Sequence, residues 1–369
     1  GMGLDFAPNP YPPRRASYVR SHTPAVPKAS KNPSRYLTEY SKTVIMISTA
    51  RVSANAPRRT KICLSRLKGS KIEMKIIDAH NHPDYHGHSF ERVIENMDRN
   101  GIDKAWLLSW EAPPDEFDPN TIYATAYPID NGCPTPFRIC WEYKQKAPDR
   151  FVLGYAPDPR RPDALQKLRT AINLYNVQTC GEVKLRMMYD NPDAIEMFRL
   201  CGEMGLPVTL HFDNAGAQRT GVEFPRRSWW YGGDIDTLER ILKLCPETKF
   251  LGHAPGFWCH ISNDDLGATV AYPTGPVVPG GRIERLLDRY DNLYCDCSAG
   301  SCLTALTRDP EYTKKLILAH PDRFLFARDY FDNRLYNFIE SLGLPDDVRE
   351  LFYHGNAERI VPAVREVRV

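Results

Sequence analysis

Between residues 75 and 329 the chain repeats one pattern eight times: a short β-type run, then a connection that is often helical in period. The runs are "KIIDAH" (75–80), "KAWLLSW" (104–110), "FVLGYA" (151–156), "GEVKLR" (181–186), "PVTLHF" (207–212), "KFLGHA" (249–254), "NLYCDCS" (292–298) and "RFLFARD" (323–329). "SFERVIENMDRNG", "RPDALQKLRTAINLYN", "NPDAIEMFRLCGEMG", "DIDTLERILKLCP" and "EYTKKLILAHP" place apolar residues at helical spacing between them. Strand–helix alternation is the signature of parallel βα units. Eight such units in about 300 residues predict an α/β chain folded as a (β/α)8 TIM barrel. A doubly wound open sheet is the competing topology, but no G-x-G-x-x-G or G-x-x-x-x-G-K-[ST] opens any helix.

In a barrel, alternate residues of each strand face the helices or the interior. Taking the apolar set as helix-facing, Ile77 and Ala79 point outward, and Asp78, His80 and His82 inward. The same rule turns Glu182, Lys184 and Arg186 inward on the fourth strand, Thr209 and His211 on the fifth, and His253 on the sixth. Asp296 follows on the seventh, and Asp329 closes the eighth. The His and Asp residues gather at the C-terminal strand ends, where barrels build active sites. His80 and His82 share a face and can hold one ion. Imidazole nitrogens with a carboxylate suit Zn²⁺, with Mn²⁺ or Fe²⁺ as alternatives. His86 and His88 read as decoration of the first loop, and Glu111 as a further residue at the mouth.

Residues 1–73 differ from the rest. They hold 14 Lys and Arg against 3 Asp and Glu, a charge of +11, while residues 74–369 carry −9. This basic, Ser- and Pro-rich stretch reads as a non-catalytic extension, and Met74 stands immediately before the first strand. The barrel is expected over 74–369. No apolar run is long enough to span a bilayer, so no membrane partner is expected. The ten cysteines lack a disulfide rhythm, which fits a reduced, cytoplasmic protein. The extension lacks interleaved aromatics and a nucleic-acid fold, which argues against a nucleic-acid partner. A small-molecule substrate is the expected partner, and a homodimer is compatible with the sequence.

Several segments taken together resemble the amidohydrolase superfamily, in particular its amidohydrolase-related branch. "IIDAHNHP" resembles the first strand of that branch, and "APDRFVLGYAPDPRRPDALQKLRTAI" the third strand and helix. "VTLHF", "FLGHAPG" and "HPDRFLFARDY" resemble strands five, six and eight, and "YHGNAERIV" the closing motif. The branch includes aminocarboxymuconate-semialdehyde decarboxylase, resorcylate-type decarboxylases and lactone hydrolases. The resemblance implies one divalent metal held by His80, His82, His211 and Asp329. It gives His253 a role in proton transfer or substrate polarisation, with Asp329 as the partner that takes a proton from water. Lys184, Glu182, Arg186, Asp296 and Trp258 are then the expected substrate contacts. The implied reaction is hydrolysis of a C–O or C–N bond in a small, anionic or cyclic lactone or amide. Non-oxidative decarboxylation is the alternative, and a non-catalytic metal-binding barrel a third reading. Arg328 departs from the branch, whose eighth strand often has Ser or Thr before the Asp; it is expected to alter the strand end or reach into the mouth. Residues 213–232, rich in Arg and Trp, read as a lid or as a solvated loop.

Overall fold

The computed structural model describes residues 74–114, 116, 133–213 and 230–363. Its eight strands are β1 (Ile77–Asn81), β2 (Lys104–Leu107), β3 (Phe151–Leu153), β4 (Cys180–Val183), β5 (Val208–His211), β6 (Phe250–His253), β7 (Leu293–Cys297) and β8 (Phe324–Phe326). All neighbouring strands pair in parallel, as β1-β2-β3 and β4-β5-β6-β7-β8. Backbone bonds join the two sheets. Gln178 N–H donates to Leu153 C=O at 2.9 Å and Tyr155 N–H to Thr179 C=O at 3.1 Å, linking β3 to β4. Asp329 N–H donates to His80 C=O at 2.8 Å, linking β8 to β1. The sheet is thereby a closed barrel.

Helices α1 (Phe90–Arg99), α2 (Phe137–Lys146), α3 (Ala164–Tyr175), α4 (Pro192–Met204) and α5 (Ile235–Leu244) follow β1 to β5 in turn. A short α6 (Pro255–Trp258) and α7 (Arg282–Arg289) follow β6; α8 (Ala299–Thr307) and α9 (Pro310–Ala319) follow β7. After β8 come α10 (Arg334–Ser341), α11 (Asp346–Glu350) and α12 (Asn356–Ile360). The local signals are plain where the sequence is regular. Asn191 caps α4 by accepting from Asp193 N–H at 2.9 Å, Pro192 opens it, and Gly205 ends it at φ 70. The five helical patterns expected from the sequence correspond to α1, α3, α4, α5 and α9; α2, α7 and α8 are additional to them.

Two apolar clusters divide the strand residues by face. The larger holds Ala105, Leu107, Phe151, Leu153, Val208, Leu210, Phe250, Leu293, Cys295, Phe324 and Phe326 together with helix residues. The smaller holds Trp106, Val152, Leu251, Tyr294, Leu325 and Ala327 with Ala357 and Ile360 of α12. The second is the packed interior. Ile77 and Ala79 belong to it, which corrects the outward phase expected for them. The cause is a shift in the β1–β2 register between Asp78 and Asn81, which breaks the two-residue period. Asp78 is correspondingly turned to Arg328, while His80 and His82 stay at the barrel mouth. No helix of the described residues is long and apolar enough to cross a membrane.

Candidate metal centre and active site

His80 and His82 end β1 on a segment with almost no access to solvent. Each is oriented by its Nδ1. His80 Nδ1 lies 2.6 Å from Asp296 Oδ2, and His82 Nδ1 lies 2.7 Å from Leu108 C=O. A histidine donating from Nδ1 presents the lone pair of Nε2, the arrangement of a metal ligand with its supporting acceptor. The two Nε2 atoms face one another at 3.4 Å. Asp329 Oδ1 lies 3.9 Å from the first and 3.6 Å from the second. A circle through three points so spaced has a radius of about 2.1 Å, a normal Zn–N or Zn–O bond length. Asp329 Oδ1 is buried and has no hydrogen-bond partner among the described residues. The donor set fits a divalent cation.

Glu182 occupies the middle of the site. Its Oε2 lies 3.5 Å from His82 Nε2. Its Oε1 lies 2.6 Å from His211 Nδ1 and 3.5 Å from His253 Nε2. Further close triads of possible ligands are His80–His253–Asp329, His80–His82–Glu182 and Glu182–His211–His253. His211 is thus brought to the other histidines through Glu182, with its Nε2 3.8 Å from Asp213 Oδ2. Glu182 is turned inward as its place on β4 predicts, but its position differs from that of the substrate contact expected from sequence. The structure sets its carboxylate among the ligand candidates, 2 % exposed. The signal that could have found it was its shared face with Lys184 beside the next strand's histidine.

Charge explains the protonation pattern. Burial works to lower the His80 pKa, but the carboxylates of Asp296, Asp329 and Glu182 outweigh it and raise it to about 10. A proton stands in for the cation that this negative cluster favours. Burial tends to raise the Glu182 carboxyl, yet Lys184, His211 and His82 hold it well below the usual range. Burial pushes Asp329 up, with His80 and His82 opposing. His253 is held well below its ordinary value by burial and by His80, so it is neutral at pH 7. Its Nδ1 pairs with Ser298 Oγ at 2.9 Å, and its Nε2 lies 3.9 Å from Asp329 Oδ2.

The cavity over this cluster has a volume of about 360 Å³ and is lined by His86, Lys184, His211, His253, Ser301 and Asp329, among others. Lys184 is buried, its Nζ 4.1 Å from the Trp110 ring centre and 5.7 Å from that of Tyr231. His86, expected as loop decoration, lines the cavity with its ring edge-on to Tyr330 at 5.1 Å. His88 stacks on Phe331 at 3.8 Å.

Other expected contacts are placed differently. Asp296 is fully buried beneath the cluster against His80, and Trp258 (1 % exposed) donates its indole N–H to Asp296 C=O at 3.1 Å. Both support the floor of the site instead of facing its cavity. Arg186 lies beside Tyr231, and its backbone N–H donates to Glu116 at 2.8 Å. Arg328 turns its guanidinium to Asp78 (Nε to Oδ2, 2.8 Å) and to Asn96 (Nη1 to Oδ1, 2.9 Å), locking β8 to β1 and α1. Glu111 accepts from Phe137 N–H and lines a separate cavity with Tyr155 and Lys167. Of the 213–232 loop, residues 214–229 lie outside the described residues; Asp213 and Tyr231 pair at its base through two backbone bonds of 3.1 and 3.0 Å.

Neither a family model nor a curated protein matches this chain. Solved structures do. An uncharacterised TIM-barrel protein from Bordetella bronchiseptica is 16% identical with a TM-score of 0.52, over 78% of this chain and 98% of that one. A 2,6-dihydroxybenzoate decarboxylase in complex with 2,6-dihydroxybenzoate is 16% identical with a TM-score of 0.51, over 78% and 99%. A candidate amidohydrolase from Staphylococcus aureus is 15% identical with a TM-score of 0.50, over 78% and 99%. In fold, the chain is a (β/α)8 barrel similar to these three solved structures.

Proposed function

We propose that this chain is a metal-dependent hydrolase acting on a C–O or C–N bond of a small molecule bound in the cavity above the histidine cluster. The observation that carries the reading is the triangle of His80 Nε2, His82 Nε2 and Asp329 Oδ1, with sides of 3.4, 3.9 and 3.6 Å, whose Asp329 lines that cavity. His80, His82 and Asp329 would hold one divalent ion, with Glu182 and His211 adjoining. Such an ion supplies a Lewis acid and brings the pKa of a bound water to about 7. The chain's own groups do the rest. Asp329 takes a proton at its carboxylate, which burial has made more basic than a surface aspartate. His253, neutral and tethered through Nδ1 to Ser298, holds or delivers a proton at Nε2. Lys184 offers a buried cation to an anionic part of the substrate.

Non-oxidative decarboxylation is the second reading, favoured by the likeness in fold to the 2,6-dihydroxybenzoate decarboxylase. In that case an acid must protonate the carbon that loses CO2. Metal-loaded protein offered lactones, amides and aromatic carboxylates separates the two: acid release supports hydrolysis, CO2 release supports decarboxylation. The metal assignment has its own test. The His80→Ala/His82→Ala double variant should fold and lose the ion that the unmodified protein carries; unchanged metal content in it sinks the assignment.

A further inference from the structure

Helix α8 (Ala299–Thr307) starts directly after β7, and Ala299, Gly300 and Ser301 of its first turn line the cavity. The first N–H groups of a helix have no partner inside it, and the helix dipole makes that end positive. Here the N-cap residue Ser298 makes no capping bond, because its hydroxyl is engaged with His253 Nδ1 at 2.9 Å. The Ala299 N–H is used by Arg328 C=O at 2.9 Å. A second feature points to a ligand. Ser301 is 3 % exposed and lines the cavity, yet its Oγ has no hydrogen-bond partner among the described residues. A buried hydroxyl left in this state is uncommon and calls for an acceptor. The cavity of about 360 Å³ that Ser301 lines has room for one, and beside it a Cβ built on Gly300 meets nothing within 4 Å. Ala299 itself is held at φ 61, a left-handed conformation that alanine rarely adopts and that directs this helix start.

We propose that the first turn of α8 and the Ser301 hydroxyl form an anion subsite that takes a carboxylate of the substrate other than the group reacting at the His80–His82–Asp329 cluster. The inference rests on reading this cavity as the substrate site, and it narrows the substrate to molecules with an anionic anchor. The subsite offers donors and a positive dipole end, which suit a carboxylate and not a neutral amide.

The test uses the full metal-loaded chain, with benzoate and its neutral isostere benzamide as probes in calorimetric titration. Benzoate should bind at least about tenfold more tightly than benzamide. Ser301→Ala removes a hydrogen bond to a charged group and should weaken benzoate by about tenfold or more, leaving benzamide unchanged. Gly300→Asp places a carboxylate where the helix dipole favours it and where no atom is in the way, so the fold is kept. It should abolish benzoate binding. Metal content is measured on all three proteins. Equal binding of benzoate and benzamide overturns the proposal, as does unchanged benzoate affinity in both variants. Failure of the metal reading shows separately as unmodified protein without bound ion; the benzoate comparison between unmodified protein and Ser301→Ala is read either way.

Discussion

Replacing Asp296 by Asn removes one charge from the site while keeping its shape. The carboxylate is fully buried, with Oδ2 2.6 Å from His80 Nδ1. Its backbone is held by the Trp258 indole at 3.1 Å, so the side chain should stay in place. Two effects follow, with opposite signs. Loss of the supporting carboxylate should weaken metal binding about 10- to 100-fold, or about 1.4–2.7 kcal/mol. The same loss removes the strongest influence raising the His80 pKa, which stands at about 10 against an ordinary 6.5. A metal ion can use His80 only after displacing that proton. In the unmodified protein the proton is present below about pH 10, so apparent metal affinity should climb up to about tenfold per pH unit from pH 7 to 9. In Asp296→Asn the proton leaves at lower pH and the climb flattens. The deficit of the variant should therefore be largest at high pH and shrink, or reverse, toward pH 7. Zn²⁺ titrated against a competing chelator at several pH values measures both slopes. Parallel slopes, or equal affinities at the highest pH, would refute the link between Asp296, the His80 proton and the metal.

Three further outcomes are expected. His253→Asn should keep its metal and lose about 10²–10⁴-fold in turnover, whereas His211→Ala, which releases Glu182, should lose metal first; metal analysis and one working substrate decide, and the reverse result exchanges the two roles. Arg328→Met leaves the Asp78 carboxylate buried without its guanidinium and should cost about 3–5 kcal/mol in chemical denaturation; a loss below about 1 kcal/mol would show that the pair does not hold β8 to β1. A chain beginning at Met74 should fold and retain metal, because the closed barrel is complete from β1 onward; an insoluble or metal-free product would place residues 1–73 in the core or in an obligatory interface.

The strands were legible because each is a short apolar run whose alternate residues differ in character. The helices were legible where a cap or stop is spelled out, as with Asn191, Pro192 and Gly205 around α4. Helix α2 was missed because its aromatic and basic sequence lacks a side-chain cap at its start and a glycine at its end. At the site, period-two reasoning puts His211, His253 and Asp329 at one mouth, and the cavity is lined by all three. It failed on β1, where the register shift between Asp78 and Asn81 breaks the phase that His80 and His82 would impose on Ile77 and Ala79, both of which lie in the interior. No pattern in one strand's sequence reports an irregularity defined by its neighbour. The same limit hid the partners of inward residues. Whether Glu182 meets a ligand or a substrate, and whether Asp296 faces the cavity or the back of His80, depends on distances across the barrel and not on position along a strand.

Strain and unmet bonding explain why the whole cluster is best read as one functional end. Ala254 after β6, Ala299 after β7 and Asp329 after β8 have φ of 74, 61 and 46, and all three line the cavity. Left-handed backbone outside glycine costs on the order of 1–3 kcal/mol per residue. Beside them, Glu182 Oε2, His211 Nε2, Ser301 Oγ and Asp329 Oδ1 are buried without hydrogen-bond partners among the described residues. Within the barrel, Leu251 and Leu325 instead belong to one apolar cluster with Ala357 and Ile360 of α12. A fold selected for stability alone would relax those three turns and pair those four atoms, as Arg328 already pairs with Asp78 nearby. The strain persists where it aims donors into one cavity, and a cation with an anionic substrate would satisfy the oxygens and nitrogens that the described residues leave unmatched.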